Sequence, residues 1–246
     1  MCNLYSMTRS VDELRGLVRH MQDRGLNLPP LPGIFPDYEA PIVRNRDGQR
    51  ELAMVRWGMP SSQKALLDAA SKRADKLREK GKPVDFDALL KAEPDGGTTN
   101  IRNTSSKHWK RWLEPPNRCV VPFSSFSEYE RGPDGKFQPA WFALDESRPL
   151  AFFAGIWVLQ WTSVRKARTG EETIDLFGFL TCPPNADVAP IHPKAMPAIL
   201  TTSDEVETWL SAPWSEASAL QRSLPDGWLK VVARGPKKDG IEGEAA

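Results

Sequence analysis

"RCVVPFSSFSEY" (118–129) opens a series of apolar runs continued by "PAWFAL" (139–144), "LAFFAGIWVLQW" (150–161) and "TIDLFGFLTC" (173–182). Each is rich in β-branched and aromatic residues and is bounded by Gly, Pro, Asp or Ser, the signature of buried strands. The last two are separated by polar "TSVRKARTGEE" (162–172), which is expected to connect an antiparallel hairpin. Strands clustered in one stretch with helices outside them imply an α+β fold. The expected architecture is a single domain with a mixed, mainly antiparallel, barrel-like sheet flanked by helices.

Upstream, Ser10 and Glu13 stand in capping-box spacing ahead of Val11, Leu14, Leu17, Val18 and Met21 on one helical face. "GLNLPPLPGIFPDYEAP" (25–41) reads as proline-rich coil. "PIVRN" and "ELAMVRWG" flank Arg46-Asp47-Gly48 and predict a hairpin. Residues 62–97 read as a charged helical insertion, two helices split by Gly81 and Pro83, with a solvated face as the plainest account of their charge. Downstream, Thr202 and Glu205 predict another capped helix, "LKVVAR" (229–234) is a candidate closing strand, and residues 234–246 are expected to be a disordered tail.

Charge and composition exclude several classes. A formal net charge of +1 in 246 residues means any polyanion must meet a local patch. Three scattered cysteines (Cys2, Cys119, Cys182) without a CxxC pair argue for a reducing setting rather than a disulfide scaffold. The three histidines (His20, His108, His192) lack metal-ligand spacing, so neither a metal nor a cofactor is expected. The polar N-terminal stretch is no secretory signal, and no apolar run has the length of a bilayer span. A cytoplasmic protein with no membrane contact is the expectation.

Four places carry groups able to do chemistry. Cys2 follows the initiator methionine; removal of Met1 would leave an α-amine and a thiol on adjacent carbons, able to close a ring on an aldehyde, though the residue could equally be the end of a flexible terminus. Glu128 lies among Ser127, Tyr129 and Glu130, and His192 lies between prolines; both residue types serve as proton carriers or as plain structural groups. Asn100 follows Gly96-Gly97-Thr98-Thr99, where a turn is the simple reading. In "SSKHWKRWLEPPNR" (105–118), Lys107, Lys110 and Arg111 alternate with Trp109 and Trp112, with Arg102 and Arg118 flanking. Cations and aromatic faces suit a single nucleic-acid strand. The competing reading is an amphipathic helix with its tryptophans in the core, and spacing alone favours it.

In order along the chain, Cys2, "RWGMP" (56–60), Asn100-x-Arg102, "RCxVPxxxFxE" (118–128) and "IHxxxMPxIL" (191–200) resemble the SRAP family, the SOS-response-associated peptidases or abasic-site-processing proteins. The resemblance implies one α+β domain (1–233) that binds single-stranded DNA and links an N-terminal cysteine to abasic sites through a thiazolidine. It implies catalytic roles for Cys2, Asn100, Glu128 and His192, and DNA contacts from Arg102, Lys107, Trp109, Lys110, Arg111 and Lys194. The expected partner is single-stranded DNA containing abasic sites, met by a monomer that associates with the nucleoid when DNA is damaged. Weak strand-cleaving lyase activity and self-removal of Met1 belong to the same expectation, with an N-terminal-nucleophile cysteine peptidase or amidohydrolase as the alternative. The sequence departs from the family's common pattern in three places. Asn3 and Leu4 replace Gly-Arg after the cysteine, "FSSFSEY" replaces "ADGFYEW", and Lys194-Ala195 precede Met196-Pro197.

Overall fold

Asp47 and Gly48, both at positive φ (51° and 75°), make the two-residue turn of the first long hairpin. This primed-turn geometry matches the twist of the strands it joins. The computed structural model describes residues 2–23 and 25–240. Its early strands are β1 (Tyr5–Met7), β2 (Met21–Gln22), β3 (Leu31–Ile34), β4 (Glu39–Arg46), β5 (Gln49–Trp57), β6 (Asn100–Ile101) and β7 (Arg118–Phe123). Later come β8 (Ser125–Arg131), β9 (Phe137–Ala143), β10 (Ala151–Lys166), β11 (Gly170–Cys182), β12 (Met196–Pro197), β13 (Ile199–Leu200) and β14 (Lys230–Arg234). The helices are α1 (Val11–Leu17), α2 (Gln63–Glu79), α3 (Phe86–Lys91), α4 (Lys107–Lys110), α5 (Ser203–Ser211) and α6 (Trp214–Ala217).

Strands β11, β10, β7, β4 and β5 pair in that order, and β5 returns to β11 through a parallel pairing at Arg56↔Leu176 and Trp57↔Phe177. The fold is therefore α+β, built on a closed, mixed, five-stranded barrel. A second, antiparallel sheet runs β14-β9-β8-β1-β3. Tyr5 of β1 joins the two layers, with its ring edge-on to Trp57 at 5.1 Å and to Phe153 at 5.6 Å. Phe123 stacks on Phe153 at 4.0 Å beside it. This aromatic core anchors β1, the strand that follows Cys2.

Ser10 and Glu13 make a full capping box on α1, Ser62 caps α2, and Thr202 caps α5. The first helix is shorter than its apolar spacing predicts: it ends at Leu17, extended Val18 is its C-cap, and Met21 starts β2. Four further local expectations change. The run 118–129 is two strands, β7 and β8, broken at Ser124, so one side chain run serves both sheets. The polar 162–172 segment is not a connection: β10 and β11 pair through it, and only the short turn after Lys166 is loop. The coil expected at 25–41 contains β3, tolerated with Pro32 because β3 is an edge strand.

The fourth change is at the C-terminus. Residues 235–240 do not behave as the expected disordered tail; they cross β1, β3 and β8 as a strap. Asp239 is buried, pairs with Arg148, accepts from Ser125 Oγ at 2.6 Å, and donates its N–H to Pro32 O at 2.9 Å. Residues 241–246 of that tail lie outside the described residues. Among the described residues, no helix is long and apolar enough to cross a membrane.

Candidate active site

Cys2 lies just ahead of β1, where the Ser127 N–H of β8 donates to Leu4 O at 2.9 Å. The cysteine is buried at 1% exposure, and its thiol donates to Leu4 O at 3.4 Å. Burial pushes the thiol well above the usual cysteine range, and the neighbouring charge of Glu128 raises it further. The strand alternation of β8 explains how a carboxylate reaches this place. Phe126 points into the aromatic core, so Glu128, two residues on, shares its face, while Tyr129 faces solvent. Ala140 stands opposite Glu128 in register on β9 and leaves room for it. Glu128 is 2% exposed, and burial raises its carboxyl group, against the opposing pull of nearby His192.

Asn100 reaches the same point from the barrel. The segment 98–101 lies along β11, with Asn100 opposite Phe179, because Gly178 lacks a side chain: a Cβ there would meet Thr98 O at 3.0 Å. Trp57 Nε1 holds the segment by donating to Thr99 O at 3.2 Å. Upstream, Gly58 and Gly97 approach so closely that a Cβ on Gly97 would sit 2.9 Å from Gly58 Cα, under the buried guanidinium of Arg165. Fixed this way, Asn100 Nδ2 donates to Cys2 O at 2.8 Å.

His192 completes the group from the loop between β11 and β12. Its N–H donates to Val188 O at 2.8 Å, and Nδ1 sits 2.8 Å from Ala195 O. The Ala195 N–H approaches the same nitrogen at 3.3 Å, so Ala195 fixes the imidazole through Nδ1. Arg102 braces the loop: Nη1 donates to Cys182 O at 2.9 Å and to Lys194 O at 3.0 Å. Gln221 holds Arg102 in turn, donating from Nε2 to Arg102 O at 2.9 Å and to Thr181 O at 3.0 Å. Cys2, Asn100, Glu128 and His192 are thus neighbours: Asn100 is bonded to Cys2 O, and Glu128 interacts electrostatically with both the Cys2 thiol and His192.

The basic-aromatic stretch divides. Lys107, Lys110, Arg111, Lys194 and Arg102 are exposed. Trp109 is not available for base stacking: it is 9% exposed and packed against His108 and Trp112. Four-residue α4 therefore docks by Trp109, with Trp112, just past its end, buried alongside. Arg111 stacks on Trp112 at 3.9 Å. Arg118 is not a surface cation either; it is wholly buried, donates to Ala212 O at the end of α5, and is held down at about 10 by burial. Asn3, Thr99, Arg165 and Gln221 are the structural partners that residue patterns did not flag; only Asn3, adjacent to Cys2, carried a local hint. Among the described residues, no three His, Cys, Asp or Glu side chains group as a metal site.

Several solved structures share this fold. A protein from Bordetella bronchiseptica is 22% identical, with TM-score 0.58 over 95% of this chain and 98% of that one. A protein from Bacteroides thetaiotaomicron is 19% identical, with TM-score 0.58 over 93% of this chain and 90% of that one. A phage-related protein from Bordetella bronchiseptica is 16% identical, with TM-score 0.58 over 93% and 92% of the two chains. No curated protein matches the sequence. The family model described as SOS response associated peptidase (SRAP) matches residues 1–233, and this chain belongs to the SRAP family.

Proposed function

We propose that the protein captures abasic sites in single-stranded DNA covalently, through the α-amine and thiol of Cys2 after Met1 is removed. The observation that carries this reading is the gathering of Glu128, Asn100 and His192 around Cys2. An abasic deoxyribose is mostly a closed hemiacetal. His192 takes the proton of the C1′ hydroxyl as the C1′–O4′ bond breaks and delivers it to O4′, leaving the open aldehyde. The amine of Cys2, with an ordinary pKa of about 7.7–8.0, then adds to the aldehyde carbon. Glu128, whose carboxyl burial pushes up, donates a proton to the departing hydroxyl; water leaves and the imine forms. The thiol adds across the C=N bond, its proton passes to the nitrogen, and a five-membered thiazolidine closes. Arg102, Lys107, Lys110, Arg111 and Lys194 supply phosphate contacts on the same molecule. At the imine stage, loss of the proton beside the imine carbon expels the 3′ phosphate, so weak lyase activity accompanies capture.

The family's description as a peptidase favours a second reading, an N-terminal-nucleophile hydrolase that includes self-removal of Met1. Such a nucleophile needs thiolate, whereas burial pushes the Cys2 thiol up, away from the thiolate form. The amine-first route uses that neutral thiol directly. The test is to incubate protein of verified Cys2 N-terminus with an abasic single strand. A heat-stable adduct weighing the sum of the two less one water is expected, with none on undamaged or tetrahydrofuran-containing DNA. Absence of an adduct with the mature protein refutes the reading.

A further inference from the structure

We infer that Thr99 and Asn3 are positioning residues that fix the orientation of Asn100, so that the site presents one buried acceptor to a hydrogen-bond donor. The inference rests on the abasic-site reading for its kinetic consequence, but its geometry is independent of it. Asn100 is 8% exposed, and Nδ2 lies 2.8 Å from Cys2 O and 2.9 Å from Thr99 Oγ1. A peptide carbonyl can only accept, so the amide nitrogen must face Cys2; the flipped amide would bring two acceptors together. Thr99 Oγ1 donates its single hydrogen to Asn3 Oδ1 at 3.2 Å, which turns its lone pairs toward Asn100. Asn3 Oδ1 also lies 3.3 Å from Asn100 Nδ2 and backs up the same N–H.

Both Asn100 N–H groups are thereby used, and Oδ1 is left fully enclosed without a hydrogen-bond partner. An orphaned buried acceptor is costly and marks a place where a ligand group completes the shell. The group that completes it must be a donor, such as an amine or a hydroxyl; a phosphate or carbonyl oxygen would be repelled. Amine addition to an aldehyde passes through a carbinolamine carrying both an N–H and an O–H. A locked acceptor beside it stabilises that intermediate without a reorganisation step.

The test compares Asn3→Ala/Thr99→Val, which removes both supports, with Thr99→Ser, which keeps the hydroxyl. Single-turnover crosslinking at saturating abasic DNA should slow about tenfold in the double variant and stay within about twofold in Thr99→Ser. Affinity for a tetrahydrofuran-containing strand should be unchanged in both, which a loosened fold would not allow. A second readout is independent of crosslinking: hydrogen exchange of the Asn100 side-chain amide, identified as the NMR pair missing in Asn100→Asp. It should be slow in the wild type and about tenfold faster in the double variant. Unchanged exchange and rate in the double variant, or a Thr99→Ser as slow as the double variant, overturns the inference. Faster exchange with no crosslinking by any form, wild type included, upholds the positioning and sinks the abasic-site reading instead.

Discussion

Asp239→Ala tests whether the C-terminal strap is part of the folded unit that carries Cys2. The carboxylate accepts from Arg148 Nε and Nη2, both at 2.8 Å, and from Ser125 Oγ at 2.6 Å. Removing one partner of a fully buried ion pair costs about 3–5 kcal/mol, because the other charge is stranded. Here the Arg148 side chain keeps 23% exposure against 4% for Asp239, so the guanidinium regains some water. A loss of about 2–3 kcal/mol follows, most of it from two charge-assisted bonds at about 1.5–3 kcal/mol each before rehydration. For a chain of this size, that lowers Tm by about 5–10 °C. Urea denaturation should show an earlier midpoint with an unchanged slope. A loss below about 0.5 kcal/mol, the range of an ordinary surface change, would refute the assignment of the strap to the folded unit.

Glu128→Gln should slow crosslinking by about 10²–10⁴-fold, the range for a lost acid–base group, with intact binding to undamaged strands. Because burial raises the folded carboxyl above its unfolded value, the native state keeps a proton that the unfolded chain releases. Wild-type stability therefore falls as pH rises above the unfolded value, and Glu128→Gln should gain in Tm relative to wild type at pH 8 but not at pH 4; an equal difference at both contradicts the shift. Lys107→Ala/Lys110→Ala should reduce the salt dependence of single-strand binding by about 1.4 in slope, and an unchanged slope would remove both lysines from the interface. Trp109→Phe should lower stability while leaving strand affinity within about twofold, since the ring is buried; a large affinity loss in a stable variant would restore it as a stacking face.

The local signals in the sequence were strong where a structure closes on neighbours. The capping box at Ser10, the Thr202 cap and the Asp47-Gly48 turn need only nearby residues, and the apolar runs name β7 to β11. Barrel closure depends on a pairing between Trp57 and Phe177, 120 positions apart, which no periodicity reports. The strap was missed for the same reason: its composition is that of a solvated tail, and the partner that orders Asp239 is Arg148, 91 residues away. The alternation of Trp109 and Trp112 with cations fits either a binding face or a docked helix, and burial alone decides it. For the candidate site, the proximity of Cys2, Asn100, Glu128 and His192 was legible as an ordered set of motifs. Asn3 and Thr99 were not, because a hydrogen bond on the chain's own Asn100 leaves no pattern in sequence.

The central claim is that the α-amine of Cys2, not its thiol alone, begins the capture of an abasic site. Two variants separate the two groups: Cys2→Ser, and a chain with an uncleavable N-terminal extension that retains the thiol but turns the amine into an amide. Both are incubated with abasic single-stranded DNA, with and without borohydride, and the covalent adducts are resolved after heating. Cys2→Ser should form an imine that borohydride traps, yet give little heat-stable adduct without it, because an oxazolidine is far less stable than a thiazolidine. The extended chain should give neither, although its cysteine is intact. Heat-stable crosslinking by the extended chain at the wild-type rate would contradict the account and leave Cys2 as an ordinary thiol nucleophile.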